Sequence, residues 1–264
     1  MNTYIAGLGL FTAATIVITT LSAYLIYWLL NKSPISGWLN TSEPISPAFL
    51  SITAFLFSLA ITTVATNSFQ RHQVASENLA AEANSIGTLI SISKILPAQD
   101  GSKLILAVNN YVNAVVDKEW PVISTNSYEN RQIALPEFEA LNTVVNGIDI
   151  EPNQRGSIEG RMDAAVDSIR HTRLMRQSLA YENNSLKKWP EIPVCSFLLL
   201  LCVGLIHLRS QKAMKITLGV TGLCVVTSMI FIYMAMSPYQ GWNPIEPYKL
   251  KDSLALIDPS VVLK

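Results

Sequence analysis

Charge is what this sequence has least of. Only 14% of its 264 residues are charged, against about a quarter in an ordinary globular chain. Its 19 basic and 19 acidic residues cancel, so no basic excess offers an electrostatic handle for nucleic acid. Cysteine is scarce too. Cys195, Cys202 and Cys224 lie in apolar runs without ligand or redox spacing, which excludes a disulfide framework. His72, His171 and His207 are scattered. No HExxH, GxSxG or Cys-x-x-Cys motif occurs, and Gly7-Leu-Gly9 sits in an apolar run rather than a phosphate loop. These absences argue against an enzyme; no catalytic residue, metal ligand or cofactor is assigned.

What the sequence does have is long uncharged runs. Residues 3–30, 44–70, 192–208 and 216–245 carry no charge. About 20 apolar residues match the hydrocarbon core of a bilayer. Tyr4–Leu30, Ala48–Asn67, Ile192–Leu208 and Met214–Met236 are therefore expected to span one, with lipid as their surroundings. The first is too long for a signal-peptide core and has no basic region before it. Four spans put both termini on one side, together with the segment between the second and third. Near the span ends Arg71, Arg173, Arg176, Lys187, Lys188, Lys249 and Lys251 outnumber Lys32, Arg209, Lys212 and Lys215. The positive-inside rule then favours a cytoplasmic middle segment. The expected organisation is 1–70 for the first two spans, 71–190 for a helical cytoplasmic region, 191–236 for the last two spans and 237–264 for the tail.

The middle segment reads as helical throughout. Leu79, Ala83, Ile86 and Ile90 form a seam that continues from the second span without a Gly or Pro break, predicting one long helix to Leu96. Glu82 falls on the border of that seam. A second helix is predicted over Ser102–Trp120, with Leu104, Val108, Tyr111, Val112 and Val115 in one stripe. Glu119 follows Val115 by four and joins the stripe, just before Trp120-Pro121. A third begins at Pro136 with Phe138, Leu141, Val145 and Ile148 inward. The last runs from about 154 to 188, and its stripe includes Arg173 and Arg176 among Met162, Val166, Ile169 and Ala180.

A carboxylate facing a bundle at a helix C-terminus is disfavoured by burial and by the helix dipole. A facing arginine offsets this through a charge-assisted bond. Glu119 is therefore expected to pair with Arg173 or Arg176; the alternative is a solvated Glu119 beyond the packed region. Glu137 and Glu139 read as ordinary surface charges, as do Asp163 and Asp167. In the second span Ser58, Thr62 and Thr66 form a hydroxyl stripe, while Phe49, Thr53, Phe57 and Ile61 form another ridge. Such hydroxyls either border water or bond the helix itself and its neighbours. In the tail, Tyr248–Ile257 is expected to form a short helix with Leu250, Leu254 and Ile257 inward.

Several elements occur in a recognisable order. They are Glu82-Ala-Asn-Ser-Ile-Gly-Thr-Leu89 with the following Lys94-Ile-Leu-Pro97, Tyr111 through Glu119-Trp120-Pro121, an arginine-bearing helix before the third span, and Ser237-Pro-Tyr-Gln-Gly241. Together they resemble the bestrophin-like domain family of bacterial four-span membrane proteins. The resemblance implies an all-α membrane protein with four transmembrane helices, a helical cytoplasmic bundle and a ring of identical subunits in the bacterial inner membrane. By more distant similarity to bestrophins proper, the ring is a pentamer that conducts inorganic anions along the second span. The nearest match to the bestrophin neck is Phe49, Thr53, Phe57 and Ile61. No counterpart of the calcium-binding acidic cluster of animal bestrophins is present. The competing expectation is a non-conducting scaffold or sensor whose helical region binds a partner or ligand.

Overall fold

In the computed structural model the described residues are 2–41, 46–123, 129–149, 155–181, 191–240 and 243–255. Every regular element among them is helical: α1 (Asn2–Asn31), α2 (Ile35–Thr41), α3 (Ala48–Ser93), α4 (Ala98–Asn113), α5 (Leu135–Asn146), α6 (Arg155–Tyr181), α7 (Glu191–Ile206), α8 (Gln211–Ala235) and α9 (Tyr248–Leu254). The chain divides into two compact units. The first comprises Met1–Gln70 and Ser185–Ser237, the second Arg71–Asn184 and Pro238–Lys264.

In the first unit α1 lies against α7 and α8, which also touch each other. Ile26 and Leu30 of α1 meet Leu200 and Val203 of α7 and Met214 and Leu218 of α8. Gly204 permits the close approach of α7. A Cβ there would stand 2.7 Å from Leu30 Cδ1 and 2.9 Å from Ile26 Cγ2, the small-residue contact that lets apolar helices pack tightly. α3 joins through Val64, which packs with Ile192 of α7 and Ile232 of α8; Phe57, Ala60 and Ile61 flank that contact. Three helices are long and apolar enough to cross a membrane, Tyr4–Asn31, Ala48–Ser93 and Gln211–Ala235, and α7 is apolar but shorter. Their outward side chains include Leu10, Ile18, Leu21 and Phe231, surface that water would disfavour and lipid accepts.

The second unit is built on the C-terminal part of α3. No Pro lies between Ala48 and Ser93, and the helix runs through Gly87 without a break for 46 residues, about 69 Å at 1.5 Å per residue. Pro97 then forces a turn. Gly101 is fixed inside that turn, because a Cβ on it would lie 2.3 Å from the Ser93 carbonyl oxygen. That oxygen is main chain and cannot swing aside. Gly101→Ala is therefore expected to destabilise the protein by about 1–3 kcal/mol, the usual range for overpacking. Unfolding of the detergent-solubilised protein by denaturant reads this, and an unchanged midpoint would contradict so close an approach.

α4 packs on α5, and α5 on α6. Pro136 sits in the first turn of α5, where its missing N–H costs nothing. Phe138, Leu141 and Val145 point into a core shared with Leu104, Val108 and Val112 of α4 and Met162 and Ile169 of α6. Ser85 of α3 donates to Ser168 Oγ of α6 at 2.8 Å. Leu250 and Leu254 of α9 close the core. Ile257 lies outside the described residues, as do residues 182–188 of the last helix expected in the middle segment.

One helix departs from its expected form. The α-helical pattern read to Trp120 ends at Asn113; Ala114–Glu119 is a π-helix and Trp120–Val122 a single 3-10 turn. The Trp120 N–H reaches back to the Val115 carbonyl, five residues earlier. Pro121 removes the next donor from the ladder, and the wider turn keeps Glu119 buried while carrying Trp120 to another neighbour. Such π-turns often lie at functional sites.

Candidate functional site

The second unit buries a charged network drawn from four parts of the chain. α3 contributes Glu82, α4 Tyr111, the end of the π-turn Glu119 and Trp120, and α6 Arg176. Both carboxylates are 1% exposed and Arg176 is 2% exposed. Glu119 Oε1 accepts from Arg176 Nε at 3.2 Å and from its second terminal nitrogen at 3.1 Å. The first terminal nitrogen donates to Glu82 Oε2. Glu82 Oε1 accepts from the Tyr111 hydroxyl at 2.6 Å. One guanidinium thus holds two carboxylates on different helices, using the fork geometry that lysine lacks. Arg173, one turn earlier on α6, is also buried.

Aromatic rings seal the charges from water. The Arg176 Cζ lies 5.7 Å from the centre of the Trp120 ring, within cation–π range. Trp120 in turn meets Tyr239 edge-on at 5.6 Å and donates to the Ile245 carbonyl at 3.2 Å. A crevice lined by Asn78, Glu82, Trp120, Thr172, Arg176 and Tyr239 leaves no room for a water molecule. This is a clamp between helices rather than a pocket for a substrate.

Burial lifts the Glu82 carboxyl above its ordinary value of 4.5; the nearby Glu119 charge adds to this, while Arg176 and Tyr111 oppose it. Burial also raises the Tyr111 hydroxyl well above its usual value, with Glu82 adding to it. For Arg176, burial pulls down, but Glu82, Glu119 and Tyr111 together hold it well above the ordinary arginine value. A carboxyl raised on folding binds its proton more tightly in the native state. Its contribution to stability is full below the unfolded pKa and is lost as pH rises through the raised folded value. The melting temperature should therefore gain from Glu82 on acidification through that window, down to the ordinary carboxylate range. Glu82→Gln should flatten this part of the profile, whereas parallel wild-type and variant profiles would contradict it.

Glu82 is the member that the seam Leu79, Ala83, Ile86, Ile90 left on its border. A seam through Ala75, Leu79, Glu82, Ile86, Leu89 and Ser93, spaced alternately by four and three, contains it, and all six are buried. Tyr239 follows the last span in a segment without periodicity, and its one signal is its place in the Ser237–Gly241 element of the family resemblance. Glu137 faces Lys118 at 3.6 Å. Asp163 is exposed, and Asp167 pairs with Arg170 at 2.7 Å on the outside of α6.

The ridge Phe49, Thr53, Phe57 and Ile61 is divided by the packing of the first unit. Phe49 is 48% exposed, but Thr53 is buried and its hydroxyl donates to the Leu50 carbonyl at 3.1 Å. Phe57 and Ile61 lie against the Val64–Ile192–Ile232 cluster. Three of the four therefore face the chain's own helices. Ser58, Thr62 and Thr66 lie on the exposed side of α3.

A model of the bestrophin-like domain matches residues 17–250, from the first apolar helix into α9. The chain belongs to the bestrophin-like domain family. A solved structure described as that of a membrane protein superimposes on this bestrophin-like chain with a TM-score of 0.59 at 12% identity, covering 93% of this chain and 98% of the other. No curated protein sequence matches. The bestrophin-like protein is an integral membrane protein: its apolar helices and its similarity in fold to a membrane protein agree on that. The match takes in every helix that supplies the buried network, so Glu82, Tyr111, Glu119 and Arg176 lie within the bestrophin-like domain.

Proposed function

We propose that the protein is a homo-oligomeric ion channel, anion-selective and pentameric, whose conduction path runs along α3. Membership of the bestrophin-like domain family over residues 17–250 is the observation that carries this reading. The step from family to conduction is a fold-level analogy with bestrophins proper. In this reading α1, α3, α7 and α8 all cross the bilayer of a bacterial inner membrane. α7 is 16 residues long, about 24 Å, a shortfall that local bilayer thinning accommodates at small cost. Residues 1–70 and 191–236 form the membrane part, and 71–190 with the tail 237–264 lie in the cytoplasm. No ionisable residue lies within residues 48–70, so the path is neutral. Apolar constrictions gate it by dewetting, and hydroxyls replace part of the ion's hydration shell. The protein is not an enzyme in this reading, and the Glu82–Arg176–Glu119 clamp holds its cytoplasmic helices together.

Purified protein in planar bilayers tests the reading. The expected result is a current whose reversal potential follows the chloride gradient, from particles with five-fold symmetry. Intact particles that carry no current across a range of pH and anions would leave a scaffold or sensor as the function.

A further inference from the structure

The outward face of α3 differs in chemistry from that of the other spans. Among the described residues of α1, Thr12, Thr15, Thr19 and Ser22 are partly or fully buried, and Thr20 and Tyr24 carry the exposed hydroxyls. On α8 the exposed hydroxyl is Thr227, and it is bonded to the Leu223 carbonyl at 2.9 Å. On α3, Ser51, Ser58, Thr62, Thr63, Thr66 and Asn67 are all exposed. Thr63 bonds the Leu59 carbonyl at 2.9 Å, whereas Ser58, Thr62, Thr66 and Asn67 make no side-chain hydrogen bond among the described residues.

Position around the helix makes the contrast directional. Val64 marks the side packed on α7 and α8. Thr62 and Thr66 are each two residues from it, about 160° around a helix of 3.6 residues per turn. Ser58, Thr62 and Thr66 recur every four residues and form one stripe. Phe55 and Phe69, both exposed, bracket the stripe seven residues either side of Thr62. In lipid, unpaired hydroxyls and an amide would lose the hydrogen bonds that water gives them. Ile52 and Leu59, also exposed, border the stripe on one side; the hydroxyls and the amide are the part of this face that suits water rather than acyl chains.

We infer that the ion path is bordered by the Ser58–Thr62–Thr66 face of α3, with Phe55 and Phe69 as its apolar constrictions, and not by Phe49, Thr53, Phe57 and Ile61. This rests on the channel reading and specifies its lining. The ligand class is a small monovalent anion, which the hydroxyls meet as donors. Thr53, Phe57 and Ile61 instead hold α3 to its own subunit.

Single cysteines decide the face. In a background lacking Cys195, Cys202 and Cys224, the variants Thr62→Cys, Thr66→Cys, Phe57→Cys and Ile61→Cys are reconstituted in liposomes. They are then treated with a membrane-impermeant, negatively charged methanethiosulfonate. Only thiolate reacts, and apolar surroundings suppress it, so the cysteines at 62 and 66 should react roughly tenfold or more faster than those at 57 and 61. Their modification should also reduce the current. Faster reaction at 57 and 61, equal rates on both faces, or no reaction at 62 and 66 in a conducting protein each overturns the assigned face and leaves the channel reading standing. Fast reaction at 62 and 66 in intact oligomers that never conduct has the opposite meaning: the wet face stands and conduction falls. Thr62→Val serves as a second variant, expected to lower anion conductance without changing oligomer size; unchanged conductance counts against the lining.

Discussion

Arg176→Met is expected to destabilise the protein by about 3–5 kcal/mol, the range for breaking a buried ion pair by removing one partner. The cause is less the lost attraction than what remains. Glu82 and Glu119 are each 1% exposed, and without the guanidinium both carboxylates would stay buried after losing the cation they share, with Glu82 keeping the Tyr111 hydroxyl as a donor. One or both must then take up a proton or drag water inward, and the contact with the Trp120 ring is lost too. The comparison that isolates this cause is the triple variant Arg176→Met, Glu82→Leu, Glu119→Leu. Apolar replacement of a whole buried charge group is often neutral or stabilising, so the triple variant should recover most of the loss. Denaturant midpoints in detergent measure both. A single variant as stable as wild type, or a triple variant no better than the single one, would show that the three groups do not form one unit. The effect should also resist added salt, since buried pairs are screened far less than exposed ones.

Tyr111→Ala is expected to cost a further amount of the same order, about 3–5 kcal/mol as for other large aromatics cut to alanine in a core. Tyr111 is fully buried, meets Phe138 edge-on at 6.0 Å, and donates to Glu82 at 2.6 Å. Tyr111→Phe separates the two contributions. It retains the packing and removes one donor from a buried carboxylate, for a cost of about 1–3 kcal/mol. If both variants lose equally, the hydrogen bond accounts for the whole effect; if Tyr111→Phe loses nothing, Glu82 does not rely on that donor. Because Tyr111 and Arg176 share Glu82, losses from Tyr111→Phe and Arg176→Met should not add.

Much of the fold was legible because the two relevant patterns are local. Uncharged runs mark residues that a bilayer solvates, and three of them form helices long enough to cross one. Periodicity placed Phe138, Leu141 and Val145 on one face of α5 and Leu104, Val108 and Val112 on one face of α4, and all are buried. It also placed Glu119 and Arg176 on apolar faces, where charge is conspicuous. Glu82 was harder, because two overlapping seams on α3 share Leu79 and Ile86 and differ on whether residue 82 faces in. Only the packing of α4 and α6 against that helix selects one.

The π-turn at Ala114–Glu119 was not legible either. Its sequence, Ala-Val-Val-Asp-Lys-Glu, suits an α-helix equally well, and the wider turn shows itself only in the hydrogen bond from Trp120 back to Val115.

By itself, then, the sequence determined that this is a helical membrane protein, that its middle segment hides charges on apolar helix faces, and which residues were candidates to pair there. Those conclusions follow from composition and from a 3.6-residue period, which each segment carries alone. The packing of the helices settles that a single arginine serves two carboxylates, and that Thr53, Phe57 and Ile61 face helices of their own chain while Ser58, Thr62 and Thr66 are exposed. Both outcomes depend on which neighbour occupies each side of α3. A helix with polar and apolar residues on several faces does not specify that choice; the helices that pack against it do.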